Sequence, residues 1–219
     1  MAAHPAVGLL AAAIVGLSAW VFGHRLLGAL GVDDDDKSPA LSTALGLGAI
    51  AQVLFFVGLL GELRPAALGA CLVVAHGLCR PSWRAVWSRR PGPWRTWGRA
   101  TWGWIAAALP LVLLALYPPT GWDETAYHLP YVRAFLEAGG LVFAEHLRYP
   151  VFPQTAELLF LAAGLLGGDT AAALTQTLAL FAAAGVLAEW GRRSFHPRVG
   201  LWAAALWIGT PLVVWLGTM

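Results

Sequence analysis

The chain has 219 residues, of which 58% are hydrophobic and only 12% are charged. Ordinary soluble domains are about 25% charged, so the composition excludes an ordinary soluble globular fold and favours a membrane protein with several spans. The 14 basic and 12 acidic residues nearly balance, whereas a nucleic-acid-binding protein would be strongly basic. We therefore expect the lipid bilayer, and no nucleic acid, as a partner.

Long apolar runs follow one another along the whole chain. A bilayer-spanning helix needs about 20 mostly apolar residues, and six or seven of the runs approach that length. The sequence predicts an all-α integral membrane protein with six or seven transmembrane helices and an outer loop that contains short amphipathic helices. The runs cover residues 5–23, 41–60, 65–79, 102–117, 154–167, 170–188 and 199–217.

An acidic run separates the first two apolar runs. Residues 33–36 are four consecutive aspartates, and Lys37 follows them. The five residues match an enteropeptidase recognition site, so a cloning remnant is one interpretation, although the flanking sequence looks native. A cation site is another, but adjacent carboxylates point in different directions and lack the alternate spacing of a calcium loop. We predict a solvated loop, as for charge runs generally.

An arginine-rich loop covers residues 80–99 and has no acidic residue. Positive charge in a short loop marks the cytoplasmic side of a membrane, and the four interleaved tryptophans are typical of side chains at headgroup depth. The sequence therefore predicts that 80–99 is cytoplasmic and that the loop 118–153 lies outside. The arginines are Arg80, Arg84, Arg89, Arg90, Arg95 and Arg99.

The same rule meets a conflict further along the chain. If 154–167 and 170–188 both cross the membrane, the basic turn with Arg192, Arg193 and Arg198 falls outside. The first of these runs has only 14 residues and contains Glu157, which is nearer the length of a re-entrant or interfacial segment. Both interpretations stay open at this stage.

The outer loop begins with two carboxylates at the membrane surface. Pro118 and Pro119 end the preceding span, and residues 123–138 then have the period of an amphipathic helix with Tyr127, Tyr131 and Phe135 on one face. Beside a low-dielectric boundary, Asp123 or Glu124 can act as a general base that a nearby histidine tunes. The alternative is that both carboxylates only cap the helix N terminus, and that His128 is structural.

Two arginines in the same loop are candidates for binding an anionic group. The guanidinium of Arg133 or Arg148 matches phosphate oxygens in a bidentate fashion, although snorkelling toward lipid headgroups is equally common for arginine at this depth. The loop returns to the membrane at Tyr149-Pro150. The sequence has no metalloprotease, serine hydrolase or nucleotide-binding motif.

The order of several short motifs resembles the bacterial GT-C-type membrane glycosyltransferases, which include aminoarabinose transferases and protein mannosyltransferases. The resemblance covers about residues 102–219. The matching motifs are Asp123-Glu124, Tyr127-His128-Leu129-Pro130, Phe135-Leu136-Glu137-Ala138-Gly139, Tyr149-Pro150 to Pro153, Glu157-Leu158-Leu159, Leu165-Leu166-Gly167-Gly168-Asp169, Gly191-Arg192-Arg193 and Thr210-Pro211-Leu212.

The resemblance implies that a sugar is transferred from a polyprenyl-phosphate carrier to an unidentified acceptor at the outer face of a bacterial plasma membrane. Asp123 is then the candidate base, with Glu124 as the second catalytic residue. The candidate substrate-binding residues are Tyr127, His128, Arg133, Arg148 and Tyr149. Some relatives use a divalent metal and others do not, so we expect no particular cofactor.

The resemblance also implies a division of the chain. Residues 1–101 form N-terminal transmembrane helices with the basic loop, and 102–219 begin a GT-C-like module with an outer catalytic loop at 118–153. Because family members are longer, we expect an N-terminal fragment of a larger enzyme. Two other functions remain open, namely a transporter or flippase with ionisable residues beside its spans, and a membrane scaffold without catalytic activity.

Overall fold

The computed structural model describes residues 4–33, 36–79, 99–147 and 154–218, and every regular element in these ranges is a helix. The all-α prediction is therefore confirmed. The arginine-rich loop 80–98 lies outside the described residues. The helices are α1 (Pro5–Ala29), α2 (Pro39–Leu59), α3 (Pro65–Leu78), α4 (Arg99–Ala115), a π-helical turn (Glu124–His128) that continues into α5 (Leu129–Ala138), α6 (Thr155–Ser194), α7 (Pro197–Gly209) and α8 (Pro211–Thr218).

Proline begins five of these helices. Its fixed backbone angle suits the first helical position, where the missing N–H has no partner to lose. Before three of these prolines, the side chains of His4, Ser38 and His196 each accept a backbone N–H two or three residues further on. These local signals explain why the helices begin where the apolar runs begin.

Three of the described helices, α1, α2 and α6, are long and apolar enough to cross a membrane, and the α7–α8 pair would be a fourth. The prediction of six or seven transmembrane helices is not supported. One reason is that the run 154–167 corresponds to a short helical segment, 155–166, which ends where the backbone of α6 leaves helical geometry at Gly167 and Gly168. Another is that the run 199–217 divides into two helices bent by 66°. In α3 and α4, the apolar stretches Pro65–Val74 and Ala106–Ala115 are shorter than a full span.

Helix α6 is interrupted at Gly167 and Gly168, where the backbone leaves helical geometry. Gly168 has φ +69° and ψ −164°, a conformation that is essentially restricted to glycine. The part before the break, 155–166, would be about 18 Å long, and the part after it, 169–194, about 39 Å. Because a hydrocarbon core is about 30 Å thick, only the second part is long enough to cross by itself.

Small residues let α1, α2 and α6 pack closely. A Cβ atom on Gly46 of α2 would lie 1.8 Å from the Ala19 carbonyl oxygen of α1, and one on Gly23 would lie 1.8 Å from the Ser42 carbonyl oxygen. At the break in α6, a Cβ on Gly167 would lie 2.6 Å from the Ala11 Cβ. Close backbone approach through small residues is the usual packing mode of membrane helices.

Contacts between the helix ends and the connecting segments define two opposite ends of the helix bundle. At one end, which we call the site end, Leu63 N–H donates to the Gly139 carbonyl and Leu141 N–H to that of Gly58, and Gly8 contacts Thr170. It comprises residues 5–8, 58–64, 118–147 and 169–170. The opposite, basic end comprises residues 25–38 and 189–198, where Arg193 forms an ion pair with Asp36.

The acidic run lies at the basic end and is only partly solvated. Asp33 and Asp36 are exposed, as predicted. Lys37, by contrast, is 7% exposed, and its Nζ lies 3.0 Å from the position of a Cβ on Gly28. The prediction of a solvated loop is therefore wrong for Lys37, because its long side chain packs back against α1.

Candidate functional site

A cavity of about 100 Å³ at the site end contains most of the candidate residues that the structure describes. The π-helical turn forms one wall and α6 forms the other. Because the break at Gly168 starts a new helical segment, α6 contributes residues from both of its parts. The lining residues are Pro119, Asp123, Glu124, Tyr127, His128, Leu129, Ala156, Phe160, Asp169, Ala172, Ala173, Gln176 and Leu216.

The amphipathic helix predicted over 123–138 is confirmed by its buried face. Tyr131 and Phe135 are each 1% exposed, and Tyr127 packs against the same hydrophobic core. The core also includes Leu158 and Leu161 from the first part of α6. Burial of this face holds the π-helical turn and α5 against α6 and so positions the cavity wall.

Glu124 is buried and caps the start of the helical turn. Its Oε2 accepts a hydrogen bond of 2.8 Å from Gly121 N–H, which matches the acidic arm of a capping box. Burial raises the pKa of the Glu124 carboxyl, and the Gly121 hydrogen bond offsets part of that rise. The capping role considered for Glu124 is therefore realised in the structure.

Asp123 differs from its neighbour. It is half-buried, lines the cavity and makes no side-chain capping hydrogen bond. Across the described ranges its carboxylate has no hydrogen-bond or ion-pair partner. A carboxylate with unoccupied oxygens at a cavity wall is the arrangement that a general base needs before substrate binds.

His128 is held by an acidic residue that sequence reasoning did not assign to the site. Its Nδ1 lies 2.6 Å from Oε1 of Glu157, a residue that is 1% exposed. The ring centroid of Tyr127 is 4.1 Å from that of His128, and Phe160 presents its edge at 6.0 Å. The turn that carries His128 is π-helical, with Leu129 N–H donating to the Glu124 carbonyl, and such turns are frequent at functional sites.

Arg133 lies near the cavity through a second acidic residue. Its Nη2 is 3.8 Å from Oδ2 of Asp169, which lines the cavity. The Arg133 side chain is 61% exposed. The other two candidate substrate-binding residues, Arg148 and Tyr149, lie outside the described residues.

Glu157 and Asp169 are the two functional candidates that the sequence analysis missed. Both are acidic residues within or beside apolar runs, where ionisable side chains are costly and often functional. That signal was present, but it did not reveal which wall of the protein each carboxylate would face. Within the described ranges, no group of three or more metal-ligating side chains has a geometry that could hold a metal ion.

A second cavity of about 190 Å³ lies between α1, α2, α3 and the first part of α6. Its walls are almost entirely apolar. Two polar contacts in it involve Ser18, whose Oγ donates to the Ile14 carbonyl at 2.7 Å and lies 3.0 Å from His76 Nε2. Free cysteines Cys71 and Cys79 also line it, where they act as small apolar side chains.

Comparisons with known proteins give one informative similarity. The chain is 31% identical over 124 residues to an uncharacterized protein of Shigella flexneri, covering 53% of this chain and 59% of that protein. The chain thus spans less than two thirds of the relative's length. No protein-family model matches the chain, and no solved structure matches it.

Proposed function

We propose that the chain is part of a membrane glycosyltransferase that moves a sugar from a polyprenyl-phosphate carrier to an acceptor at the outer face of a bacterial plasma membrane. The observation that carries the proposal is the half-buried Asp123 carboxylate, which faces a cavity and has no partner among the described residues. Asp123 takes the proton of the acceptor hydroxyl. The hydroxyl oxygen then displaces the lipid phosphate at the anomeric carbon with inversion.

The distribution of basic residues supports the placement of the cavity at the outer face of the membrane. The second part of α6 begins at Asp169, which belongs to the site end. It finishes at the basic end, with Arg192 and Arg193 in its last turn. Because 155–166 is too short to cross by itself, α6 makes a single crossing, so the basic end lies on the same side as the arginine-rich loop. The positive-inside rule is then satisfied throughout, and the cavity opens on the outer side.

The number of crossings belongs to the same proposal. Helices α1, α2, α6 and the α7–α8 pair provide four. Short apolar helices can cross where the bilayer thins or flanking residues snorkel, and α3 and α4 would add two more. We propose six crossings in this chain, with the outer loop 118–153 between α4 and α6.

The proposal is tested by sugar transfer in membranes that contain the full-length protein. The donor is a radiolabelled sugar on polyprenyl phosphate, and the lipids and proteins of the same membranes serve as acceptors. A general base contributes about 10²–10⁴ in rate, so Asp123→Asn should lower transfer by at least about 100-fold.

Asp33→Asn is the matched control, because Asp33 is an exposed aspartate at the basic end. It should leave transfer unchanged. Turnover by Asp123→Asn at the wild-type rate, in protein that unfolds at the wild-type temperature, would remove Asp123 as the base.

A transporter is the second candidate, and the His128–Glu157 pair favours it. An ionisable pair of which one member is 1% exposed, on an apolar helix, is typical of proton relays in transporters. A transporter moves its substrate without making a glycosidic bond. Uptake of a lipid-linked or free substrate that depends on a proton gradient, with no labelled glycoside formed, would favour this function.

A further inference from the structure

The His128–Glu157 pair is chemically unusual because only half of the carboxylate is satisfied. Oε1 of Glu157 is bonded to His128, whereas the buried Oε2 has no hydrogen-bond partner in the described part of the chain. The buried hydroxyl of Tyr131 has none there either. A buried carboxylate is costly unless it is paired and hydrogen-bonded, and His128 is the hydrogen-bond partner of Glu157.

The hydrogen bond also determines which nitrogen of the imidazole is available to the cavity. Nδ1 is directed at Glu157, which leaves Nε2 as the second ring nitrogen of a side chain that lines the cavity and is 25% exposed. A protonated imidazole donates from both nitrogens. His128 can thus present an N–H donor to the cavity while Glu157 balances its charge.

The charge of the cavity wall gives this donor a role. The described lining has three carboxylates, on Asp123, Glu124 and Asp169, and His128 is its one basic side chain. Arg133 is nearby, but it lies 3.8 Å from Asp169. An anionic phosphodiester that enters the cavity would therefore be attracted to His128 and repelled by the three carboxylates.

Resting on the proposed function, we propose that Glu157 is a positioning residue that holds His128 as an imidazolium whose Nε2–H binds the lipid-linked phosphate. During transfer, the acceptor oxygen bonds to the anomeric carbon and its proton passes to Asp123. The bond from that carbon to the phosphate oxygen breaks, and its electron pair stays on the phosphate. The Nε2–H hydrogen bond stabilises the charge that develops there.

The pH dependence of transfer distinguishes positioning from a merely structural role. The imidazolium requires a proton, so activity falls at alkaline pH when that proton is lost. Removal of the Glu157 charge makes the imidazolium less favourable and moves this alkaline limb to lower pH. Several titratable groups surround this pair. Glu157 is bonded to His128, and Tyr131 is close to Glu157. The others line the same cavity as His128, and they are Asp123, Glu124, Tyr127 and Asp169.

Glu157→Gln tests the proposal because it keeps the side-chain shape and removes the charge. We expect a higher donor KM, a kcat lower by up to about 100- to 1000-fold, which is the cost of losing one donor to the developing charge, and an alkaline limb displaced to lower pH. His128→Gln should abolish that limb. Glu189→Gln, which removes a carboxylate paired with Arg192 at the basic end, is the matched control and should keep the wild-type profile.

A second measurement does not depend on activity. In protein labelled with ¹⁵N-histidine, the wild type should show a Nδ1–H resonance protected from solvent exchange. His128→Gln assigns that resonance by removing it, and Glu157→Met should abolish its protection. Thermal unfolding of each variant verifies that it is folded.

The outcomes separate the two proposals. Folded Glu157→Gln with the wild-type rate and pH profile would overturn the positioning role and leave the transferase intact. A wild-type full-length protein that makes no labelled glycoside would overturn the transferase and, with it, the phosphate role. A histidine spectrum without a protected Nδ1–H would overturn the pair itself.

Discussion

At the scale of single residues, the neighbours Asp123 and Glu124 have different environments and therefore different chemistry. Glu124 is buried and hydrogen-bonded to Gly121, and burial raises its pKa. Asp123 faces the cavity without such a bond. Two adjacent carboxylates whose environments differ in this way are suited to separate roles, one in the helix cap and one in proton transfer.

The raised pKa of Glu124 predicts how stability depends on pH. A carboxyl whose folded-state pKa exceeds its unfolded value binds more protons when folded, so its contribution is fully present below the unfolded pKa and is lost as pH rises through the folded pKa. Glu124→Gln lacks this dependence. We expect the melting temperature of the wild type, relative to Glu124→Gln in the same detergent, to fall as the pH rises above 4.5 and passes through the raised pKa of Glu124.

The outcome that would contradict this prediction is a difference in melting temperature that is independent of pH. Asp33→Asn provides the background dependence of an exposed carboxylate. The melting temperatures of Glu124→Gln and Asp33→Asn are compared at each pH, so that the carboxylates common to both variants do not contribute to the difference.

How far the site could be predicted from sequence differs from residue to residue. Asp123 and Glu124 could be found because Pro118 and Pro119 end the apolar run 102–117 just before them. Glu157 could not be assigned to His128, because 29 residues separate them and the partner of a buried carboxylate depends on how helices pack. The break at Gly168 falls between the predicted runs 154–167 and 170–188, but the position of Asp169 at the cavity also depends on how the helices pack.

At the scale of elements, one glycine of α2 is needed for close helix packing, whereas another on the same helix faces open space. A Cβ on Gly46 would lie 1.8 Å from the Ala19 carbonyl oxygen, whereas one on Gly48 meets nothing within 4 Å. Both residues lie in α2. Contact with a backbone atom cannot be relieved by a rotamer change, so α1 and α2 would have to separate.

We therefore expect Gly46→Ala to destabilise the protein by about 1–3 kcal/mol. Gly48→Ala should be neutral or stabilising by up to about 1 kcal/mol, because alanine is the better helix former. Thermal unfolding of both variants in one detergent measures the difference. Equal melting temperatures would show that α1 and α2 do not pack as described.

The element boundaries show what the apolar pattern can and cannot predict. Proline and a capping residue mark the start of α1 and α2 in the sequence itself. The pattern also separated the runs 154–167 and 170–188, and α6 leaves helical geometry between them, at Gly167 and Gly168. A Gly-Gly pair is compatible with a turn or with a break inside a helix, and the packing of Gly167 against Ala11 decides for the break.

At the scale of the whole molecule, the two ends differ in charge and in cavity content. The site end holds the cavity with its three carboxylates and His128. The basic end holds an ion-pair network in which Glu189 contacts both Arg192 and Arg193, and Arg193 also contacts Asp36. This network joins the α1–α2 connection to the end of α6.

The last prediction concerns the side of the membrane on which each end lies. Single cysteines are introduced in a chain in which Cys71 and Cys79 are replaced by alanine. Thr125 and Asp33 are both exposed and lie at opposite ends. Because basic residues stay on the cytoplasmic side, a membrane-impermeant maleimide should label Thr125→Cys in intact cells and Asp33→Cys only after permeabilisation.

Ser88→Cys, in the arginine-rich loop, should behave like Asp33→Cys if the positive-inside rule governs both regions. Labelling of Asp33→Cys from outside intact cells would reverse the orientation and move the cavity to the cytoplasmic side. Labelling of Asp33→Cys and Ser88→Cys from opposite sides would mean that α3 does not cross, since α2 and α3 are the helices between them. The three cysteines together therefore test both the orientation and the proposed crossing by the 14-residue helix α3.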